Sequence, residues 1–420
     1  MSLRRVFVGV GCVAVALAAL AAVLLYLRDK DPDGMDVDYA NDKGLVDALS
    51  LVRAAGEQMQ IPDHAKAEKL CREALSLDPG SVKAWCILGE VGLARGQLDA
   101  ALDAYQNALK IKPDSAQALA GLAPVMMEVG RIEEAESLCR RAIEADEKYA
   151  PGWSHLGIAL MRKGNVNGAR DATEKAIGYA PEDAALWVNL AFVLRAQGDL
   201  VAAVEKLKEA VRLKPADARI RNSCGTVLYE TGDLDGAIVQ LREAVRLDPG
   251  HAMALGNLGL ALFDRKQTAE AESVLRDALD KDPANVSARC GYGRLLRSKR
   301  NYEEALKQFD AVLERDPANI DALVETAWTY ATSDEPAYRN DPRGRAAAER
   351  ACQFVEFRNP ACLDALAACQ AATGNFSEAV RTAEEAVRLA HAAGQDSHAT
   401  QIEQRLAGYR AGQPCRSPPR

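Results

Sequence analysis

Four polar residues stand 34 positions apart: His155, Asn189, Ser223 and Asn257. An amide carries both a donor and an acceptor, an imidazole can serve as either, and a hydroxyl offers one donor with two acceptor lone pairs. Around them fall Arg195, Arg219, Asn222, Arg294 and Arg297, with Phe192, Tyr229 and Phe263 close by. Arginine beside aromatic side chains is a frequent composition of peptide-binding hot spots. A polar rim that only keeps a surface soluble has the same composition, so the residue types leave both readings open.

Groups that would make or break bonds are missing from the pattern. The chain has no GxxxxGK[ST] phosphate loop, no HExxH zinc pair and no GxSxG elbow. His64, His155, His251, His391 and His398 are scattered, and the carboxylates lie on helix faces beside Lys or Arg, the pattern of a solvated surface. Beyond Cys12 there are nine cysteines, an odd number, with no CxxC spacing, so neither a zinc knuckle nor a redox dithiol is written. Most fall where a helix would bury a small side chain. No catalytic residue, metal or cofactor is therefore assigned. No long basic run exists for a phosphate backbone, and nucleic acid is not an expected partner.

What must position the polar residues is a repeat. Pro79, Pro113, Pro181, Pro215, Pro249, Pro283 and Pro317 keep a 34-residue beat, with Glu147 on the missing one. Counting each unit from 31 residues before its proline gives starts at 48, 82, 116, 150, 184, 218, 252 and 286. Position 4 holds Trp85, Trp153, Trp187 and Leu255, and positions 7 and 8 read Leu88-Gly89, Leu156-Gly157, Leu190-Ala191 and Leu258-Gly259. Position 20 is alanine in all eight units, and position 27 is alanine in seven, with Val312 in the last. A bulky ridge beside a small notch, facing alanines two turns apart, predicts two helices packed closely. Gly96, Gly130, Gly164, Gly198 and Gly232 at position 15 suit a left-handed cap after the first helix, and the proline stops the second.

This pattern resembles the tetratricopeptide repeat (TPR), whose helix-turn-helix unit reads W-x2-L-G-x2-Y…A-x3-F…A…P. The match covers 48–319 in register. It implies an all-α fold, a right-handed superhelix (α-solenoid) whose concave wall is lined by the first helices. His155, Asn189 and Asn257 then resemble the asparagine ladder of the O-GlcNAc transferase array, where amides hold an extended peptide. The resemblance implies a concave peptide-binding groove formed by His155, Asn189, Arg195, Arg219, Asn222, Asn257, Arg294 and Arg297. The Lys and Asn of a two-carboxylate clamp are absent from positions 5 and 9 of every unit, which disfavours a chaperone-tail receptor.

The register breaks after Trp328. The stretch SDEPAYRNDPRG (333–344) reads as a loop inserted between two further TPR-like units over 320–393, delaying a helix expected over Arg345–Glu356. The beat returns at 360 with Leu363, Gly374 and Ala379, and residues 394–420 read as a capping helix (Ser397–Tyr409) and tail. The C-terminal end is similar to that of many bacterial TPR proteins, some of which carry glycosyltransferase domains.

At the other end, Val6–Leu27 holds no charge for 22 residues. As a helix it would be about 33 Å long, matching a hydrocarbon core of about 30 Å. It reads as an uncleaved single-pass anchor over 1–28, followed by an acidic linker, 29–47, with seven Asp against Lys30 and Lys43. Arg4 and Arg5 before the run favour a cytoplasmic N-terminus, hence an array on the periplasmic side of a bacterial inner membrane. The unpaired thiols pull toward the reducing, cytoplasmic side. The expectation is a non-enzymatic, membrane-anchored scaffold for protein or extended-peptide partners in envelope assembly, secretion or biogenesis. Two rivals stay open. One is a regulatory adaptor like the lipopolysaccharide-assembly TPR family, whose CxxC pairs are missing here; the other is an accessory subunit of a glycosyltransferase.

Overall fold

The computed structural model describes residues 43–60, 64–339 and 342–415. The expected anchor, 1–28, and the linker up to Asn41–Asp42 lie outside the described residues. Among the described residues the regular structure is entirely helical, and no helix is long and apolar enough to cross a membrane. The chain divides into two compact units, 1–181 and 182–420.

In the first unit, antiparallel pairs are formed by α1 (Lys43–Gln60) with α2 (His64–Leu77) and α3 (Val82–Ala94) with α4 (Leu98–Ile111). They continue with α5 (Ala116–Glu128) and α6 (Ile132–Ala145), then α7 (Ala150–Arg162) and α8 (Val166–Tyr179). The second unit pairs α9 (Ala184–Ala196) with α10 (Leu200–Leu213), α11 (Ala218–Glu230) with α12 (Leu234–Leu247), and α13 (Ala252–Asp264) with α14 (Thr268–Lys281). It continues with α15 (Val286–Ser298) and α16 (Tyr302–Leu313). The first helix of each pair is called A and the second B. Helix α1 begins at Lys43, so the helical array takes in the last residues assigned above to the acidic linker.

Local chemistry sets these boundaries. Ser81, Ser115, Asp217, Asn285 and Asn319 cap the starts of A helices by accepting from backbone N–H groups one turn ahead. The A helices end in the left-handed region at Gly96, Gly130, Gly164, Gly198 and Gly232, and the units lacking that glycine use Lys266 (φ 67°) and Arg300 (φ 63°) instead. The alanines at position 20, from Ala67 to Ala305, are all 0% exposed, as are the seven at position 27. Close approach at position 8 is equally strict. A Cβ on Gly225 would lie 2.6 Å from the Leu241 side chain, and one on Gly259 would lie 2.4 Å from Leu275.

Position 4 does more than form a ridge. Trp85 Nε1 donates to the Pro79 carbonyl at 3.2 Å and Trp153 Nε1 to that of Glu147 at 2.7 Å. Arg221 and Arg289, at the same position of later units, donate to the carbonyls of Pro215 and Pro283 at 2.9 and 2.7 Å. Tryptophan and arginine share a long apolar body with an N–H at its end, so either can satisfy the turn carbonyl six residues back.

After α17 (Ile320–Thr332), residues 333–344 are not one loop. A short turn of helix, α18 (Pro336–Arg339), sits inside the stretch, and the next helix, α19 (Pro342–Phe354), begins before Arg345 and ends before Glu356. Tyr338 explains the order here: its ring packs 5.6 Å from Tyr302 and 6.2 Å from Tyr330. Then come α20 (Pro360–Ala372), α21 (Phe376–Ala392) and α22 (Asp396–Arg410). Ile402, Leu406 and Tyr409 of α22 close a core that also holds Trp328, Leu363, Leu366 and Ala383.

Candidate functional site

Successive A helices of the second unit touch one another, α9 to α11, α11 to α13, α13 to α15 and α15 to α17. Their polar side chains are consequently organised across repeats. Asn257 Nδ2 donates to Asn222 Oδ1 at 3.0 Å and to Thr226 Oγ1 at 3.1 Å. Thr226 in turn donates to the Asn222 carbonyl at 2.9 Å. Asn222 is buried by this arrangement, whereas Asn257 remains half-buried. Ser223 donates to the carbonyl of Arg219 at 3.0 Å. The amide hydrogens of Asn257 are therefore engaged within the protein, and its carbonyl oxygen is the group it has left for a ligand.

The arginines separate into three situations. Arg195 forms a two-pronged pair with Glu230 of the next A helix, both bonds 2.6 Å. Arg294 donates to Asp264 at 2.7 Å, stands 3.5 Å from Glu325 and stacks 5.5 Å from the centre of the Phe263 ring. Arg297 is buried and donates to Glu325 Oε2 at 2.7 Å. Tyr229 donates to the second oxygen of Asp264, completing a chain from α11 to α17. Burial alone would lower the Arg294 guanidinium, but Glu325 and Asp264 more than reverse this and its pKa lies above the ordinary arginine value. Burial also pushes the Tyr229 phenol up to about 12, with Arg294 pulling the other way. Arg219 differs from both groups: it is exposed, with Asp217 3.9 Å away at the helix start. Asn189 is half-buried on α9, one turn before the exposed ring of Phe192.

His155 belongs to the first unit, apart from the rest. Its Nδ1 lies 2.8 Å from the Ala120 carbonyl, so this nitrogen carries the proton and donates. Burial lowers its pKa below the ordinary histidine value, keeping the ring neutral near pH 7. The buried cysteines fit their sequence reading: Cys71, Cys86, Cys139, Cys224, Cys290, Cys352, Cys362 and Cys369 are free thiols in the packed interior. Burial pushes the Cys139 thiol up to about 12, which makes it a poor nucleophile.

Sequence reasoning passed over Thr226, Glu230, Asp264 and Glu325. A signal for two of them, Glu230 and Asp264, existed in the spacing. Asn222 and Asn257, Tyr229 and Asp264, and Arg195 and Glu230 are each 35 residues apart, one more than the repeat. Across the seam between packed A helices a residue thus meets the one 35 positions on, or, a turn of helix away, one about 31 positions on, as in Asn257 with Thr226.

The family model described as Cilia and flagella-associated protein 70 C-terminal domain matches residues 12–254. Two further models, each described as Tetratricopeptide repeat, match 225–286 and 262–327. The chain belongs to this tetratricopeptide-repeat family. No curated protein matches it. Among solved structures, the APC/C hetero-tetramer Cut9-Hcn1 is similar at 18% identity and TM-score 0.56, over 68% of this chain and 56% of that one. This likeness shows the TPR fold. YrrB, described as a TPR protein with an unusual peptide-binding site, aligns at 27% identity and TM-score 0.36 over 44% of this chain and 95% of its own. Yeast Tom70 aligns at 15% identity and TM-score 0.45 over 86% and 96%. TPR proteins are interaction scaffolds that bind protein or peptide partners, and this TPR chain has the fold of one.

Proposed function

We propose that this TPR protein is a membrane-anchored, non-enzymatic scaffold that holds an extended protein segment along the A helices of its second unit. The observation that carries the reading is the state of that face. Its polar groups are fixed to one another across repeats, while the Arg219 guanidinium, the Asn257 carbonyl, Phe192 (43% exposed) and Met253 (58% exposed) stay open to a ligand. A surface already ordered in this way loses little further entropy on binding. Attachment through Val6–Leu27, and a place in envelope assembly, secretion or biogenesis on the periplasmic side of a bacterial inner membrane, rest on the uncharged run and the arginines before it.

Two measurements test this. Photo-crosslinking residues placed at Phe192 and Met253 of the full-length chain are expected to capture a partner, whereas the same residues at Val201 and Val239, exposed on B helices, are not. Equal capture from both faces would remove the A-helix assignment. Deleting residues 1–28 is expected to release the protein from membranes without loss of helicity, and a deletion that stays membrane-bound would refute the anchor.

A further inference from the structure

The second residue of each A helix in the second unit lies 34 positions from the next: Ala185 (α9), Arg219 (α11), Met253 (α13), Ser287 (α15) and Asp321 (α17). These helices touch in that order, and bonds between them hold the register: Asn257 to Asn222, Tyr229 to Asp264 and Arg297 to Glu325. The five residues therefore form one row across the A-helix face. Arg219, with 86% of its side chain open, Met253, 58% exposed, and Asp321 all stand in contact with water.

The row carries a cation toward one end and an anion at the other, and neither is neutralised as the rest of the face is. Arg195 is held by Glu230, Arg294 by Asp264 and Arg297 by Glu325. Asp217, 3.9 Å from Arg219, already caps the helix by accepting from the backbone N–H groups of Arg219 and Ile220. Asp321 has no hydrogen bond or ion pair among the described residues. Burial, then Glu325, raises its carboxyl above the ordinary value, with Arg294 pulling the other way. A side chain open to water yet crowded by protein belongs to a recessed wall, where a ligand's cation would relieve it.

The spacing of the row selects a backbone. Axes of packed helices lie about 8–10 Å apart. A polyproline-II strand turns once in three residues and rises about 9 Å in that turn. Every third side chain of such a strand thus meets the next member of the row, and its unbonded amides stay free for the Asn257 carbonyl. We propose that the row selects an extended, polyproline-II segment whose acidic residue lies three positions from an apolar one and nine from a basic one. The acid sits on Arg219, the apolar side chain on Met253 and the base on Asp321. The proposal rests on the reading of this face as the binding surface and names what that surface prefers.

Four capped decapeptides of one composition (one Glu, one Leu, one Lys, the rest Pro), with the charges at the ends, are titrated into the full-length chain. In two, Leu stands three positions from Glu, written in either direction; in the other two it stands three from Lys. A member of the first pair is expected to bind about fivefold more tightly than either of the second. Arg219→Glu combined with Asp321→Lys, both at exposed positions, is expected to reverse that preference at an unchanged melting temperature. Met253→Ser, which makes the middle of the row uniform, is expected to level the two pairs. Equal binding by all four, a preference for the second pair, or a preference that either variant leaves untouched overturns the charge order and leaves the scaffold reading standing. No binding by any decapeptide, while crosslinkers at Phe192 and Met253 still capture a partner, also removes the charge order alone. No binding and no capture removes both.

Discussion

Lys266 and Arg300 occupy a left-handed cap that five other units give to glycine. A side chain in that region meets its own backbone, whereas glycine does not, although glycine loses more freedom on folding. Lys266→Gly and Arg300→Gly are each expected to stabilise the protein by about 0.5–1 kcal/mol, read as a raised midpoint in chemical denaturation. The notch glycines answer in the opposite sense. Gly259→Ala sets a methyl 2.4 Å from Leu275 Cγ in a closed core, and an overpacking loss of about 1–3 kcal/mol is expected in the same assay. Asn257 shows how tertiary contacts change a sequence expectation. Read from spacing, its removal should spare folding. In the structure Asn257→Ala strands the Asn222 acceptor, so a stability loss of about 1 kcal/mol accompanies any loss of binding. Arg219→Ala is the cleaner probe of the face, because its guanidinium is exposed.

At the scale of elements, the C-terminal cap is held by one buried ion pair. Asp364 of α20 is 0% exposed and receives both guanidinium prongs of Arg405 from α22, which also stacks 5.6 Å from the Trp328 ring centre. Removing only the cation leaves a buried charge. Arg405→Met is expected to cost about 3–5 kcal/mol, seen as faster amide exchange throughout α20–α22. Replacing both partners with apolar residues should restore much of that protection. The turn before α22 carries a pH response. His391 Nδ1 lies 3.0 Å from Asp396 and Nε2 lies 3.6 Å from Glu403, and these carboxylates, Asp396 first, raise its pKa above the ordinary value. A raised histidine pKa means that the contribution is complete below the unfolded value, about 6.5, and fades as pH rises through the folded value. An NMR titration of His391 is expected to show its midpoint above the ordinary range, moving down in Asp396→Asn. The effect on stability stays small, since both groups are exposed. Between neighbouring pairs, Glu68 with Arg95, Glu136 with Lys163 and Glu272 with Lys299 recur at a spacing of 27, tying a B helix to the end of the next A helix.

For each unit taken by itself, contacts are concentrated within helix pairs and between successive pairs, so a defect should spread only to its neighbours. Ala203 is 0% exposed at the crossing of α9 and α10. Ala203→Leu is expected to cost about 1–3 kcal/mol, with hydrogen exchange rising in α9–α12 and unchanged in α19–α22. A uniform rise across the chain would instead mean that the array melts as one cooperative body.

The sequence by itself determined the period, the helix pairs over 48–319, their caps and the alanine and glycine notches. Each of these is a local demand, made again in every unit, so a chance residue in one is outvoted by its siblings. Where the beat fails, between Thr332 and Pro360, the same reasoning misplaced the start and end of α19 and missed α18, because packing among Tyr302, Tyr330 and Tyr338 replaced the repeat as the constraint. The candidate face was legible as a set of residue types on A helices. Its wiring was not. Which amide is engaged, which arginine is paired and which carboxylate meets an amide in place of a cation depend on how the packed helices are offset and on side-chain reach. Asn257 with Asn222, Arg195 with Glu230, and Glu90 with Gln117 differ only in what the neighbouring helix places opposite, and that is decided when the helices pack.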